Sequence, residues 1–198
     1  MGQEAPATEP RQPARLTRPL ATSLAVVAGL ARLIPHPWNL SPVYAMELFC
    51  GARLCSWHAF AIPLATRLVT DILLLPFHLP LMSDPIVYLT FMPFVYLSIV
   101  INVLLGRLLA RTESPLRIGF CAVLGSAQFF LITNFGVWLG FNTYAHTLSG
   151  LMVCYAAGLV YYLPVLISYL LFSAVLFGAH AWLTRVRFTA ERVPAPAN

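Results

Sequence analysis

Residues 86–109 read IVYLTFMPFVYLSIVINVLLGRLL, a run of 24 positions in which Arg107 is the one charged side chain. A helix needs about 20 apolar residues to cross the hydrocarbon core of a bilayer. The run meets that length, and it lacks the strict alternation of polar and apolar residues that is typical of a strand in a membrane β-barrel. It therefore predicts a transmembrane helix.

Similar apolar segments fill most of the chain. They are separated by short stretches that contain proline, glycine or charged residues, which mark turns. The segments are 19–34, 43–55, 59–77, 86–109, 116–139, 146–163 and 165–184. The pattern predicts an all-α integral membrane protein with one helical membrane domain over residues 19–185.

The composition supports the same class. Of 198 residues, 59% are apolar and 10% are charged, and the mean hydropathy is +0.77. A soluble domain is about 45–50% apolar and about 25% charged, so the chain has too little polar surface for a soluble globule. Only the ends, residues 1–18 and 186–198, have the polar composition of tails, and residues 1–18 are predicted to be disordered.

Arginine predicts the orientation, because the chain contains no lysine and its net charge of +5 rests on arginine. The arginines cluster at 11–18, 107–117 and 185–192, whereas the loops 35–42, 78–85 and 140–146 have none. Cytoplasmic loops carry the excess of basic residues. We therefore predict about six crossings with both ends in the cytoplasm. Seven apolar segments would give an odd number of crossings, so we predict that 146–163 is a partly inserted half-helix capping the outer face.

The remaining composition indicates the compartment and the partners. Abundant alanine, arginine and proline without lysine is typical of GC-rich bacteria, so the expected location is the bacterial inner membrane, with lipid as the main surrounding. The arginines form no single basic face, so we expect no nucleic-acid partner.

Ionisable residues within the apolar segments point to a candidate site. Each costs about 2.5–3.5 kcal/mol on membrane-insertion scales. Arg67 and Asp71 are four residues apart, so we expect them to pair on one helix face. By helical rise, Glu47, Asp71 and Asn134 lie at a similar depth beneath the loops without arginine. They are either lining residues of a ligand cavity or members of a purely structural polar cluster.

Aromatic residues add to the candidate site near the same loops. Trp38, Trp138 and Tyr144 are either part of an interfacial aromatic belt or groups that stack on a ligand. We include all three as candidate ligand-binding residues, together with Glu47, Asp71 and Asn134.

Small residues recur on one stripe of the first segment, at Ala21, Ala25 and Gly29. Such a stripe allows another helix to approach closely in a membrane. It would serve either an internal contact or a contact with a partner helix.

No enzyme, cofactor or metal motif accompanies these features. The chain has no G-x-S-x-G and no H-E-x-x-H sequence, and a phosphate-binding loop is ruled out by the lack of lysine. The four cysteines do not have the spacing of a zinc site. We therefore predict no catalytic residues, no cofactor and no resident metal.

Several short motifs carry a resemblance over about residues 30–180. They are PHPWNLSP at 35–42, AFAIPL at 59–64, LGRLL at 105–109, TNFGVWL at 133–139 and TLSGLMVCY at 147–155. With these motifs the chain resembles an uncharacterised family of small bacterial membrane proteins. That family is similar in size and organisation to the substrate-binding (S) components of energy-coupling-factor vitamin transporters.

The resemblance implies a six-helix, S-component-like fold with a ligand site near the outer face. It also implies that Ala21, Ala25 and Gly29 contact an energy-coupling membrane subunit. The leading hypothesis is thus a substrate-binding subunit for uptake of a vitamin-like small molecule. The alternatives are a non-transporting scaffold or assembly protein whose buried charges are structural, and an intramembrane enzyme using Glu47 or Asp71 with His36.

Overall fold

The computed structural model describes residues 14–35, 37, 39–78, 85–110 and 112–191. Within this part of the chain there are six α-helices and no strand, so the predicted all-α class is confirmed. The helices are α1 (Ala14–Leu30), α2 (Val43–Arg53), α3 (His58–His78), α4 (Pro85–Arg107), α5 (Pro115–Gly140) and α6 (Leu148–Glu191), with a short 3-10 turn at Ala31–Leu33 after α1.

Four of the described helices are long and apolar enough to cross a membrane, which agrees with a membrane protein. These spans are His58–Phe77, Leu89–Arg107, Pro115–Gly140 and Leu148–Val186. The prediction of about six crossings goes beyond this finding. Helix α2 has 11 residues and measures about 16 Å, roughly half of a hydrocarbon core of about 30 Å.

The predicted half-helix at 146–163 is wrong as a separate element. Residues 148–191 form one continuous helix of 44 residues, with Pro164 inside it. The sequence pattern placed a break at this proline. Proline is tolerated inside helices of membrane proteins, because neighbouring groups and local adjustments satisfy the freed carbonyl. Segments 146–163 and 165–184 are therefore two parts of α6.

The boundaries of the predicted tails also move. Helix α1 begins at Ala14, inside the segment 1–18 that was predicted to be disordered. Helix α6 continues to Glu191, beyond the predicted domain end at 185. Residues 1–13 and 192–198 lie outside the described part of the chain.

Helix α2 forms the centre of the bundle, since each of its residues from Val43 to Ala52 is buried. It crosses α4 at Gly51 and Gly106. A Cβ atom added to Gly51 would collide with the backbone of Val103, and one added to Gly106 would collide with the backbone of Leu48. The two glycines thus allow backbone contact between the helices, which is how helices without large interfacial side chains pack in lipid.

The helices alternate in direction between two ends of the bundle. One end is rich in arginine: Arg53 donates hydrogen bonds to the carbonyls of Leu109 and Thr112, and Arg107 donates to that of Ser56. At the other end α1 ends, α2 and α6 begin, and a large cavity opens between the helices.

Candidate functional site

A cavity of about 910 Å³ occupies the end of the bundle opposite the arginine-rich end. Ligand pockets are commonly about 300–1,000 Å³, so the space suits a small organic molecule. All six helices or their connections contribute. The polar lining residues are Arg32, Asn39, Ser41, Tyr44, Arg67, Thr133, Asn134, Tyr161 and Tyr162, and the others are aliphatic, proline, glycine or phenylalanine.

An ion cluster lies beside the cavity and joins α1 to α3. Arg67 Nε lies 2.9 Å from Asp71 Oδ2, as the four-residue spacing predicts. Arg32 Nη1 lies 2.6 Å from Asp71 Oδ1 on the other side of the carboxylate, and it also donates to Thr70 Oγ1 at 2.8 Å. The Tyr96 hydroxyl donates to Asp71 Oδ2 at 3.3 Å. One carboxylate is therefore shared by two guanidinium groups.

The arrangement places positive charge at the cavity surface. Arg32 and Arg67 line the cavity, whereas Asp71 lies behind them. The three side chains are only 9–13% exposed, so their charges are poorly screened by water. The described lining residues include no aspartate or glutamate, which gives this surface an excess of positive charge.

Aromatic rings form one wall of the cavity. Tyr44 on α2 packs edge-on against Phe129 at a centroid distance of 5.0 Å. It also stacks on Tyr169, at 5.3 Å and an interplanar angle of 21°. Offset and edge-on pairs are the favoured geometries of aromatic rings, so this wall has a defined shape.

Behind that wall lies a buried polar group centred on Glu47. The Nδ2 of Asn102 donates to Glu47 Oε2 at 2.6 Å and to the Tyr169 hydroxyl at 2.5 Å. All three side chains have 1% exposure or less. The hydrogen bonds join α2, α4 and α6, which supports a structural role for Glu47 beneath the cavity, and Glu47 itself is not a lining residue.

The comparisons with known proteins identify one family. A family model described as a family of unknown function, DUF6580, matches residues 14–193. The chain belongs to this family. No curated protein and no solved structure matches the chain. The family match carries no link to energy-coupling-factor transporters, so the S-component relationship stays a prediction.

Within this DUF6580 chain, the structure brings some predicted ligand-binding residues to the cavity. Asn134 lines it, and its Nδ2 donates to the Phe130 carbonyl at 2.8 Å. The same side chain packs directly on Gly158 of α6, where a Cβ would collide with it. Asp71 does not line the cavity, but it contacts Arg32 and Arg67, which do. Glu47 does not line the cavity, and it is connected to the aromatic wall through Asn102 and Tyr169.

Other predicted residues lie elsewhere. The Trp138 indole donates to the Ala145 carbonyl at 2.9 Å and its ring contacts Phe135 and His146, so it organises the α5–α6 connection. Tyr144 is half-buried in that connection. Neither is among the cavity-lining residues. Trp38 lies outside the described residues, as does His36.

The small-residue stripe packs inside the chain. Ala21 and Ala25 have no exposed surface. A Cβ on Gly29 would lie 2.9 Å from Thr66 Cβ and 3.1 Å from Met46 Sδ. The stripe therefore accommodates α2 and α3, and the expected contact of Ala21, Ala25 and Gly29 with a partner helix is corrected to an internal one.

Metal-binding groups are not assembled in the described residues: no cluster of three or more histidine, cysteine, aspartate or glutamate side chains occurs among them. The four cysteines form no disulfide, and three of them, Cys50, Cys121 and Cys154, are buried.

Sequence reasoning missed Arg32, Asn102 and Tyr169. Arg32 carried a detectable signal, because it is an arginine near the end of an apolar segment that leads into a loop without basic residues. Asn102 and Tyr169 gave none. Asn102 bonds to Glu47, 55 positions away in sequence, and to Tyr169, 67 positions away, and no local spacing encodes these contacts.

Proposed function

We propose that this chain is the substrate-binding membrane subunit of an uptake system for a vitamin-like small molecule. The observation that carries the proposal is the cavity of about 910 Å³, with two arginines, two asparagines and several aromatic rings in its lining. A concave, mostly apolar site with a few converging polar groups is the usual form of a small-molecule site.

The position of the cavity supports entry of the ligand from outside. It lies at the end of the bundle away from Arg53 and Arg107, and basic residues favour the cytoplasmic side. The chain would depend on a partner for energy, since it has no lysine for a phosphate-binding loop. That partner would be an energy-coupling membrane subunit docked on a surface other than the internal alanine stripe.

Native mass spectrometry of the gently solubilised protein tests this function. We expect a small molecule to be retained, and a metabolite library to contain compounds that raise the unfolding temperature. Leu74→Trp should remove both effects by filling the cavity, which Leu74 lines. Leu73→Trp is the matched control, because Leu73 is 51% exposed on the outside of the same helix.

The alternative function, a non-transporting scaffold, is favoured by one observation: Asp71 and Glu47 both have internal partners. It predicts that the protein copurifies with a membrane partner, that it retains no small molecule, and that Leu74→Trp and Leu73→Trp behave alike. That combination would contradict the transport proposal.

A further inference from the structure

The charge of the cavity lining restricts the chemistry of the ligand. Arg32 and Arg67 contribute two positive charges, and the described lining residues contribute no acid. The Asp71 carboxylate is shared by both guanidinium groups, so it offsets the charge of Arg67 only in part. The remaining positive charge at Arg67 is complementary to one anionic group on a bound molecule, and it disfavours a cationic one.

Arg67 has the geometry to bind that group. Its hydrogen bond to Asp71 uses Nε, and its terminal nitrogens form no hydrogen bond with the described protein groups. A guanidinium group presents its donors as a planar fork that matches the two oxygens of a carboxylate. Because the side chain is only 12% exposed, such a charged hydrogen bond would be little weakened by water.

The rest of the lining indicates the body of the ligand. The lining contains four phenylalanine residues together with aliphatic residues. These four, which we call the phenylalanine wall, are Phe77, Phe91, Phe129 and Phe130. Tyrosine hydroxyls and the Asn134 amide provide neutral polar groups. This surface suits rings or hydrocarbon and provides no counter-charge for a second ionised group.

We infer that the cavity binds an organic monocarboxylate with an aromatic or apolar body, its carboxylate paired with Arg67 and its body packed against the phenylalanine wall. This inference rests on the proposed ligand-binding function and defines its substrate class. Water-soluble aromatic acids and fatty acids from the bilayer share this chemistry, so the experiment must separate them.

The test uses the full chain in phosphatidylcholine nanodiscs, whose lipid has no net charge. Binding is measured by calorimetry for 2-naphthoate, indole-3-acetate and laurate, each beside its neutral amide, and for 2-naphthylmethylamine as a cation. At least one acid should bind about 10- to 100-fold more tightly than its amide, the effect of one hydrogen bond to a charged group. Preferential binding of an aromatic acid would indicate a water-soluble ligand, and preferential binding of laurate would indicate a fatty acid from the bilayer.

Variants assign the preference to Arg67. Arg67→Gln should abolish the preference for each acid over its amide, so that acid and amide bind this variant equally. The variant should still fold, because Arg32 remains paired with Asp71. Arg67→Lys, which keeps the charge but not the fork, should retain part of the preference. Arg117→Gln is the control, since Arg117 is exposed at the start of α5.

Three results would overturn the inference: amides that bind as tightly as the acids, acid binding that survives Arg67→Gln, or no binding of any acid. Its failure can be told from failure of the proposed function. If native mass spectrometry finds a neutral or cationic molecule that Leu74→Trp displaces, the chain still binds a ligand and only the carboxylate class is wrong.

Discussion

The guanidinium of Arg32, just beyond the end of α1, lies 2.6 Å from a carboxylate oxygen of Asp71 in the middle of α3. The contact spans 39 positions of the sequence and fixes the end of α1 against the cavity. Because Arg67 holds the other oxygen of the same carboxylate, Asp71 connects the end of α1 to α3 through two charged contacts. Charged residues within membrane helices persist when they are paired in this way.

Asp71→Asn should therefore destabilise the protein strongly. The substitution keeps the shape of the side chain but removes the negative charge that the two guanidinium groups share. Removing one partner of a buried ion pair costs about 3–5 kcal/mol. The unfolding free energy in detergent, measured by denaturant titration with helicity as the readout, should fall by an amount in that range.

The matched control for Asp71→Asn is Glu113→Gln. Glu113 pairs with Arg185 at 3.6 Å, but the two side chains are 63% and 79% exposed. Exposed ion pairs contribute little to stability, so this variant should unfold like the wild type. Equal stability of Asp71→Asn and Glu113→Gln would show that the Asp71 cluster does not hold the helices together.

Local patterns predicted most of the helices but not the full ion cluster. Segment 59–77 corresponds to His58–His78, and 116–139 corresponds to Pro115–Gly140. These agree because a long apolar run and the turn residues at its ends can be recognised from neighbouring residues alone. The Arg67–Asp71 pair was predictable for the same reason, as four residues make one helical turn. Arg32 was missed because its partner belongs to another helix.

The errors in the fold have a common physical cause. Pro164 signals a helix end when only its own neighbours are considered, yet α6 continues through it. The alanine stripe is suited equally to an internal helix and to a partner. Only the three-dimensional arrangement shows that α2, an 11-residue helix, fills the centre of the bundle and covers the stripe.

Gly106→Ala should disrupt the crossing of α2 and α4. The added methyl group would meet the backbone of Leu48, which cannot rotate away as a side chain could. Overpacking of a core typically costs about 1–3 kcal/mol, and an obstacle of rigid backbone places this variant at the upper end. Thermal unfolding monitored by circular dichroism would measure the loss.

Gly119→Ala is the control for the glycine crossing, since a Cβ there meets no atom within 4 Å. In a helix, alanine is preferred over glycine by about 1 kcal/mol, so this control should be neutral or slightly stabilising. An unchanged unfolding temperature in both variants would contradict the close backbone contact.

Tyr169→Phe should weaken the buried group around Glu47 without changing the ligand cavity. It removes the hydroxyl that accepts from Asn102 at 2.5 Å but keeps the ring that stacks on Tyr44. One donor of a fully buried amide is left unsatisfied, which costs about 1–3 kcal/mol. Tyr155→Phe is the matched control, because its hydroxyl donates to the Leu131 carbonyl in an exposed position. If both variants lost the same stability, burial of the Asn102 network would not be the cause.

Ala25→Leu distinguishes internal packing of the small-residue stripe from a contact with a partner helix. Ala25 has no exposed surface, so the larger side chain should force α1 away from α2 and α3 and lower the unfolding temperature of the isolated protein. Val27→Leu is the control on the same helix, since Val27 is 66% exposed, and it should have no effect. Size-exclusion chromatography and thermal unfolding of the purified chain give the readout without any partner present. If Ala25→Leu folded normally and lost only a copurifying membrane protein, the stripe would be a docking surface after all, and the packing of α1 described above would be wrong.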